Sequence, residues 1–520
     1  MPIESSSPSG AVPLGAHQTT LQQALLRNAA AFPASPAIVS SSYEPLTYAE
    51  LAPCLFHVAK TLRSAGLGSH SRILVALREA PQAALAIVSV ACSAIAVPID
   101  PSLAPVEIDA RLRLIDIDAV LILAGDNSAV RAFANANRIV IVEVRPNAAR
   151  ELTLKVAGPS VPAVSGLHET QAQEAPAVIL QSSGTTAQPK LVPCSHANLL
   201  ATASRVRKWF NLNELDRCLS VSPVYYSHGL VLTVLAPLLS GGSVAFPENP
   251  SRIDVKEWFF NLKPTWYSAG PTMHRAILEK VQSSEEALVR HHLRFALSGG
   301  ARLDAEVQRT LQSLLNMPIL EHYGTTETSQ VSANLPHPGL AKPGTCGVPE
   351  YDTVMIIGED GAKLPPGDWG ELWVGGPTVA SGYVDDIERT KAAFIDGWFR
   401  TGDRAMIDQD GFLIIGDRLQ EVINRGGEKI SPMEIEVALL RHPAVAEAAA
   451  FAIPHPRLGD DVGAAVVLLP DAYARSDDLR RFLATQLAWF KIPRRIRILD
   501  SLPKGTTGKI QRKQLTGSQG

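Results

Sequence analysis

The stretch "APAVILQSSGTTAQPKLV" (residues 175–192) runs from a short apolar segment straight into hydroxyl side chains, a glycine and a lysine, then back to apolar residues. Continuous apolar runs of this length, bounded by turn residues, mark strands buried on both faces, as in parallel sheets. The loop that follows offers backbone N–H groups, hydroxyls and an ammonium, a donor set suited to a polyphosphate. A Ser/Thr/Gly cluster between strands is equally a solvated turn, so the loop alone leaves both meanings open. It is not the ordinary P-loop, in which Gly-Lys is followed by a hydroxyl, because Pro189 precedes Lys190.

Outward from this loop the chain alternates helix and strand signals. From about residue 20 to 150, helical patterns such as "TLQQALLRNAAAFP" and "YAELAPCLFHVAKTLRSAGL" alternate with "RILVAL" and "RIVIVEV". A second set, which includes "APAVIL" and "HHLRFALSGGA", runs from 175 to about 345. Such alternation predicts parallel sheets covered by helices. From 345 to 417 short strands and turn dipeptides, as in "YDTVMIIGEDGAKLPPGDWGELWVGG", predict an antiparallel, β-rich module. Beyond "GDRLQE" (416–421) the texture returns to helix and strand, with "MEIEVALLRHPAVAEAAAFAIP" followed by "AAVVLL", which predicts a small α+β domain.

Composition excludes several classes. The 520 residues are 46% hydrophobic and 19% charged with a net charge of -3, ordinary for a soluble enzyme and without the basic footprint of a nucleic-acid partner. The apolar stretch "AALAIVSVACSAIAVPI" (83–99) is interrupted by small and polar residues, so a buried helix and strand are expected there and no membrane span. Cys54, Cys92, Cys194, Cys218 and Cys346 are odd in number and scattered, with no C-x-x-C pair, which fits a reducing compartment. The N-terminus lacks the positive start and apolar centre of a secretory signal, and a cytoplasmic location is expected.

Three further segments carry a family resemblance. "HYGTTETS" (322–329), "GWFRTGDRAMIDQDGFLIIGDRLQEVINRGGEKISPMEIE" (397–436) and "LPKGTTGKIQRKQL" (502–515), in register with the opening loop, resemble the adenylate-forming (AMP-binding) superfamily. The resemblance covers nearly the whole chain from about residue 20. It implies an α/β fold with a flexible lead-in at 1–20 and a large N-terminal AMP-binding domain at 21–416. That domain would comprise two packed α/β sheet subdomains plus a β-rich subdomain, followed by a small mobile α+β C-terminal domain at 417–520. It also implies two half-reactions: a carboxylic acid and ATP give acyl-AMP and pyrophosphate, then a thiol takes the acyl group.

Joining two anions at the α-phosphate concentrates negative charge, which preorganised cations and N–H donors must meet. By the resemblance, Ser182, Ser183, Gly184, Thr185, Thr186 and Lys190 hold the β- and γ-phosphates. Ala187 and Leu191 stand where the family usually has glycine, which implies a stiffer loop. Tyr323 resembles the residue that stacks on adenine, with Gly299, Gly300 and Ala301 of "SGGA" (298–301) as the opposite wall. Glu321, His322, Gly324 and Thr325 flank the nucleotide, Thr326 is a phosphate ligand and Glu327 the Mg2+ ligand. Asp403 resembles the carboxylate that accepts the ribose hydroxyls, and Arg418 the guanidinium on the ribose and phosphate side. Lys509 resembles the lysine that bridges the substrate carboxylate and the α-phosphate. Gly426 and Gly427 would let the thiol arm approach, after a reorientation hinged at Gln420, where relatives more often carry Asp or Lys.

His228, in "SPVYYSHGLVLTVLAPLLSGG" (222–242), matches a gate-like position near the reacting carboxylate; a packing histidine is the alternative. No aspartate lies between Tyr225 and Leu235 to pair with an ammonium, which disfavours an ordinary amino acid substrate. The resemblance is greatest to acid:CoA ligases of the oxalate and medium-chain kind, with oxalate one candidate among several small carboxylic acids. The alternative is an adenylation domain that loads a carrier protein. The implied cofactors are ATP, Mg2+ and CoA, or phosphopantetheine in the carrier case.

Overall fold

The computed structural model describes residues 19–78, 80–145, 152–157, 172–182, 189–283, 291–337, 339–426, 428–505 and 510–517. Its described residues fall into two compact units. One takes those up to 182, from 189 to 353 and from 374 to 399; the other takes 354–373 and 400 onward.

Two sheets of related design build the first unit. The seven-stranded sheet runs in the order Thr153–Ala157, Val140–Arg145, Ala119–Leu123, Arg72–Ala76, Ile95–Pro98, Pro176–Gln181, Leu191–Ser195. Its five central strands are parallel and each edge strand is antiparallel. The eight-stranded sheet runs Ser329–Ala333, Ile319–Thr325, Phe295–Ser298, Trp266–Ala269, Arg217–Ser220, Ser243–Phe246, Pro36–Ser40, Tyr43–Thr47. Here six parallel strands lie between two antiparallel edges. Strands covered on both faces need apolar residues at every position, and Trp266–Ala269, Phe295–Ser298 and Ile95–Pro98 are buried throughout. One core joins the two sheets: Ile73 and Leu121 of the first share it with Leu297 and Leu320 of the second and with Leu55, Val88 and Leu232 of the intervening helices.

Two features depart from the order read along the sequence. Pro176–Gln181, expected to open the second set, adds to the first sheet beside Ile95–Pro98, while Pro36–Ser40 crosses to the second sheet and pairs with Ser243–Phe246. Partners this distant in sequence are chosen by packing, which local pattern does not encode. The alanine-rich stretch after the helix Pro432–Leu440 is the strand Val445–His455, although alanine is the best helix former. Its ladder with Gly459–Leu468 runs from Val445↔Leu468 to His455↔Gly459, and that continuous pairing outweighs local propensity.

The second unit holds the antiparallel strands read from sequence, Val354–Ile357, most of Gly370–Val374 and of Trp398–Ile407, and Leu413–Arg418. The 3-10 turn Leu419–Glu421 leads to the last sheet, ordered Glu428–Ile430, Ile423–Arg425, Gly459–Leu468, Val445–His455 with Arg495–Ile498 beside Gly459–Leu468. Helices Pro432–Leu440 and Ser476–Ala484 cover it around Ile435, Leu439, Leu479 and Leu483. No helix among the described residues is long and apolar enough to cross a membrane, and the five cysteines are free thiols.

Three buried histidines in the first unit give it a pH signature. Desolvation lowers His196 and His274 from 6.5 to about 4, and His322 to about 3. Between those values and 6.5 the unfolded chain binds more protons than the folded one, so stability rises with pH there and is lost as pH falls from 6.5 toward 4. His196 and His274 each contribute at most about 3 kcal/mol and His322 at most about 5 kcal/mol. Urea unfolding of this unit is expected to show stability several kcal/mol lower at pH 4.5 than at pH 7; an equal midpoint at both would contradict the burial of these rings in neutral form.

Candidate functional site

Strands Pro176–Gln181 and Leu191–Ser195 form a hairpin whose loop is drawn closed at its base. Ser182 N donates to Lys190 O (2.9 Å) and Lys190 N to Ser182 Oγ (3.4 Å). Ser183, Gly184, Thr185 and Thr186 lie outside the described residues. At the loop's end Lys190 Nζ donates to Tyr383 Oη at 3.1 Å and stands 4.8 Å from the centre of the same ring. Tyr383 Oη donates in turn to Glu327 Oε1 at 2.9 Å. One phenol hydroxyl thus accepts from the ammonium and donates to the carboxylate, and both Tyr383 and Glu327 are only 7% exposed. The link makes sense of two sequence-assigned residues, while Tyr383, in "SGYVDD" (381–386), was not read from sequence at all. The only local signal was an aromatic hydroxyl in a polar turn; its role depends on tertiary placement.

Glu327 sits in the turn between strands Ile319–Thr325 and Ser329–Ala333. Its backbone oxygen accepts from Ala380 N (2.8 Å), and Thr325 N donates to Thr328 Oγ1 (3.1 Å), so the turn is fixed from both sides. The hairpin closes tightly enough that a Cβ on Gly324 would lie 1.9 Å from Ser329 O. Tyr323, Thr325 and Thr326 are half-buried beside it. Glu321 is buried, accepts from Leu303 N (3.4 Å), and has its pKa raised by desolvation, with Arg302 opposing. Gly299 is buried, whereas Gly300, at φ 83°, and Ala301 are exposed.

His228 begins the π-helix His228–Leu235, and Gly229 permits it: a Cβ there would meet Pro223 O at 2.1 Å. The His228 ring stands edge-on to His322 with centroids 5.5 Å apart. Burial lowers His228 to about 4, so both imidazoles are neutral at neutral pH.

In the second unit Asp403 and Arg418 face each other across the ladder of Trp398–Ile407 and Leu413–Arg418. Arg418 Nε lies 2.9 Å from Asp403 Oδ1, with the guanidinium half-exposed and the carboxylate buried. Asp403 N donates to Thr401 Oγ1 (3.0 Å). Gly426 forms an exposed turn at φ 60° whose N–H donates to Leu458 O (2.8 Å). Gly427 and Lys509 lie outside the described residues; the bridge Lys504↔Ile510 joins the two ends of the segment that carries Lys509. Arg512 makes a two-pronged contact with Glu436 (2.8 and 3.0 Å) and a third with Glu421 (2.7 Å), a half-buried charge network that braces this sheet.

Among the described residues no three His, Cys, Asp or Glu gather as a metal-binding group. A magnesium ion that arrives with a nucleotide needs only one or two carboxylates besides phosphate oxygens, and the buried Glu327 fits that lesser demand.

Comparison with known proteins identifies the family and the fold. Residues 25–384 match the model of the AMP-binding enzyme family, and 434–509 that of the AMP-binding enzyme C-terminal domain. The chain is 33% identical over 508 residues to a probable CoA ligase of Humulus lupulus, covering 96% of each. It is 35% identical to the oxalate–CoA ligase of Arabidopsis thaliana over 77% of this chain and 79% of that one. The crystal structure of ATP-bound MatB from Rhodopseudomonas palustris superposes with a TM-score of 0.84 at 27% identity, over 96% of this chain and 98% of the other.

Proposed function

The chain belongs to the AMP-binding enzyme family, and from that premise we propose that it ligates a small carboxylic acid to the thiol of CoA. A carboxylate oxygen attacks the α-phosphorus of ATP, the bond to the β-phosphate bridge breaks, and pyrophosphate leaves. The sulfur of the thiol then attacks the acyl carbon of acyl-AMP; AMP departs with the carboxylate oxygen, and the thiol proton is released. The observation that carries this function is the Lys190–Tyr383–Glu327 link, which holds an ammonium and a carboxylate in fixed register.

Within this mechanism the loop after Pro176–Gln181 grips the β- and γ-phosphates through Ser182, Ser183, Gly184, Thr185, Thr186 and Lys190. Glu327 holds magnesium, which when bound neutralises phosphate charge. Tyr323 stacks on adenine opposite Gly299, Gly300 and Ala301. Asp403 accepts the ribose hydroxyls, and its ion pair with Arg418 orients the carboxylate. His228, neutral, stands at the reacting carboxylate. Residues 417–520 reorient about Gln420, in the 3-10 turn Leu419–Glu421, presenting Lys509 for adenylation and Gly426 with Gly427 for thiol transfer. A cytoplasmic location fits the free thiols.

Two substitutions separate the roles. Lys509→Ala is expected to abolish pyrophosphate exchange yet spare thioester formation from supplied acyl-AMP; exchange near the wild-type rate would contradict the role given to Lys509. Tyr383→Phe keeps the ring against Phe394 (centroids 5.4 Å apart) but removes the hydroxyl. Loss of hydrogen bonds to two charged groups predicts a fall of about tenfold or more in kcat/KM for ATP with little change in Tm; a value within twofold of wild type would show the link to be incidental. In the same assays thioester formed with free CoA supports the CoA acceptor, whereas acyl-AMP that accumulates until a carrier protein is added would make the chain a carrier-loading domain.

A further inference from the structure

Three side chains with buried polar atoms near the carboxyl edge of the eight-stranded sheet bear on which acid is used. His322 is 6% exposed, and among the described residues neither ring nitrogen meets a partner in good hydrogen-bond geometry; the Gln330 side chain stands close enough only to oppose the lowering of its pKa. His228 Nε2 and Ser268 Oγ are also buried and unpaired. Buried polar atoms are nearly always paired in folded proteins, so a cluster of four orphans calls for a ligand.

These atoms share one sheet face. Register sets Ser268 beside Leu297 and Leu297 beside Leu320, so His322, two residues beyond Leu320, lies on the face of Ser268. The π-helix that His228 begins packs on that face, with Leu230 and Leu232 in the core of Leu297 and Leu320. Ser220, the register partner of Ser268, bonds that helix through Thr233 Oγ1 at 2.8 Å. Open α/β sheets bind ligands beyond the carboxyl ends of their parallel strands, and π-helical segments are frequent at functional sites.

We propose that His322, which the family resemblance set beside the nucleotide, instead selects the acid: its ring closes the acyl end of the site and, with His228 and Ser268, receives the far oxygen-bearing group of a short substrate such as a dicarboxylic, sulfonated or hydroxy acid. This inference rests on the ligase function proposed above. Size follows from where the ring sits. It fills the space beside Gly299, where a Cβ would come within 2.2 Å of its Nε2, and it abuts His228, so a long hydrocarbon tail on this face would have to displace it. Polarity follows from protonation state, since each neutral imidazole presents one N–H and one lone pair. An apolar tail would leave the four atoms unpaired, whereas oxygens on the tail pair them.

The test is acid-dependent pyrophosphate release by the full chain, wild type against His322→Ala and His322→Gln, across oxalate, malonate, succinate, sulfoacetate, glycolate, butyrate, hexanoate and benzoate. Wild type is expected to favour at least one of the first five over butyrate by about tenfold or more in kcat/KM. His322→Ala should lose that preference and gain on hexanoate or benzoate. His322→Gln, which keeps a donor and an acceptor, should retain part of it, and it decides the matter should the alanine variant fail to fold. A wild-type preference for the apolar acids, or an acid profile unchanged by either substitution in an active enzyme, would overturn the selection by His322 alone. No release with any acid would instead refute the ligase function, and this inference with it.

Discussion

A single phenol hydroxyl fixes the distance between a cation and an anion in this protein. Lys190 and Glu327 arrive from different sheets of the first unit, one in the loop of the edge hairpin of the seven-stranded sheet, the other in the last turn of the eight-stranded sheet. Left to themselves an ammonium and a buried carboxylate would collapse into a direct ion pair, useless to a ligand that needs both. Tyr383 stands between them and meets each with one hydrogen bond, so both groups are held in a fixed orientation. Packing supplies the rigidity: Tyr383 lies edge-on to Phe394, and Ala380, three residues earlier, is tied to Glu327 by its backbone.

The same economy shapes the rest of the first unit. Two parallel sheets, each closed by antiparallel edges, bring several strand ends together, and at those ends the chain places its glycines, hydroxyls and histidines. Gly229, Gly299 and Gly324 each sit where a side chain would strike a carbonyl or a ring, so the backbone there approaches its neighbours closely. Neutral imidazoles rather than cations line the buried end, which suits recognition by hydrogen bonds more than by charge.

Much of this was legible in the sequence. The helix and strand alternation appears as read, because apolar periodicity is set by burial and burial by the sheets. The Asp403–Arg418 pair and the Glu327 turn lie in motifs long enough to recognise. Sheet membership was not legible, since the exchange of Pro36–Ser40 and Pro176–Gln181 between sheets is decided by partners far along the chain. Nor was the strand Val445–His455, whose alanines favour helix until a partner strand is present. Tyr383 and the meeting of His228 with His322 escaped for the same reason, as both are products of tertiary contact between segments with unremarkable local sequence.

The central claim is that a carboxylate oxygen of the substrate becomes bonded to the α-phosphorus of ATP. Oxygen tracing tests it most directly: the enzyme is given an acid labelled with heavy oxygen in its reacting carboxylate, together with ATP, magnesium and CoA, and the nucleotide product is weighed by mass spectrometry. Attack at the α-phosphorus followed by thiol transfer predicts AMP carrying one labelled oxygen, with pyrophosphate unlabelled. Label in inorganic phosphate alongside ADP, or AMP with no label, would contradict the account.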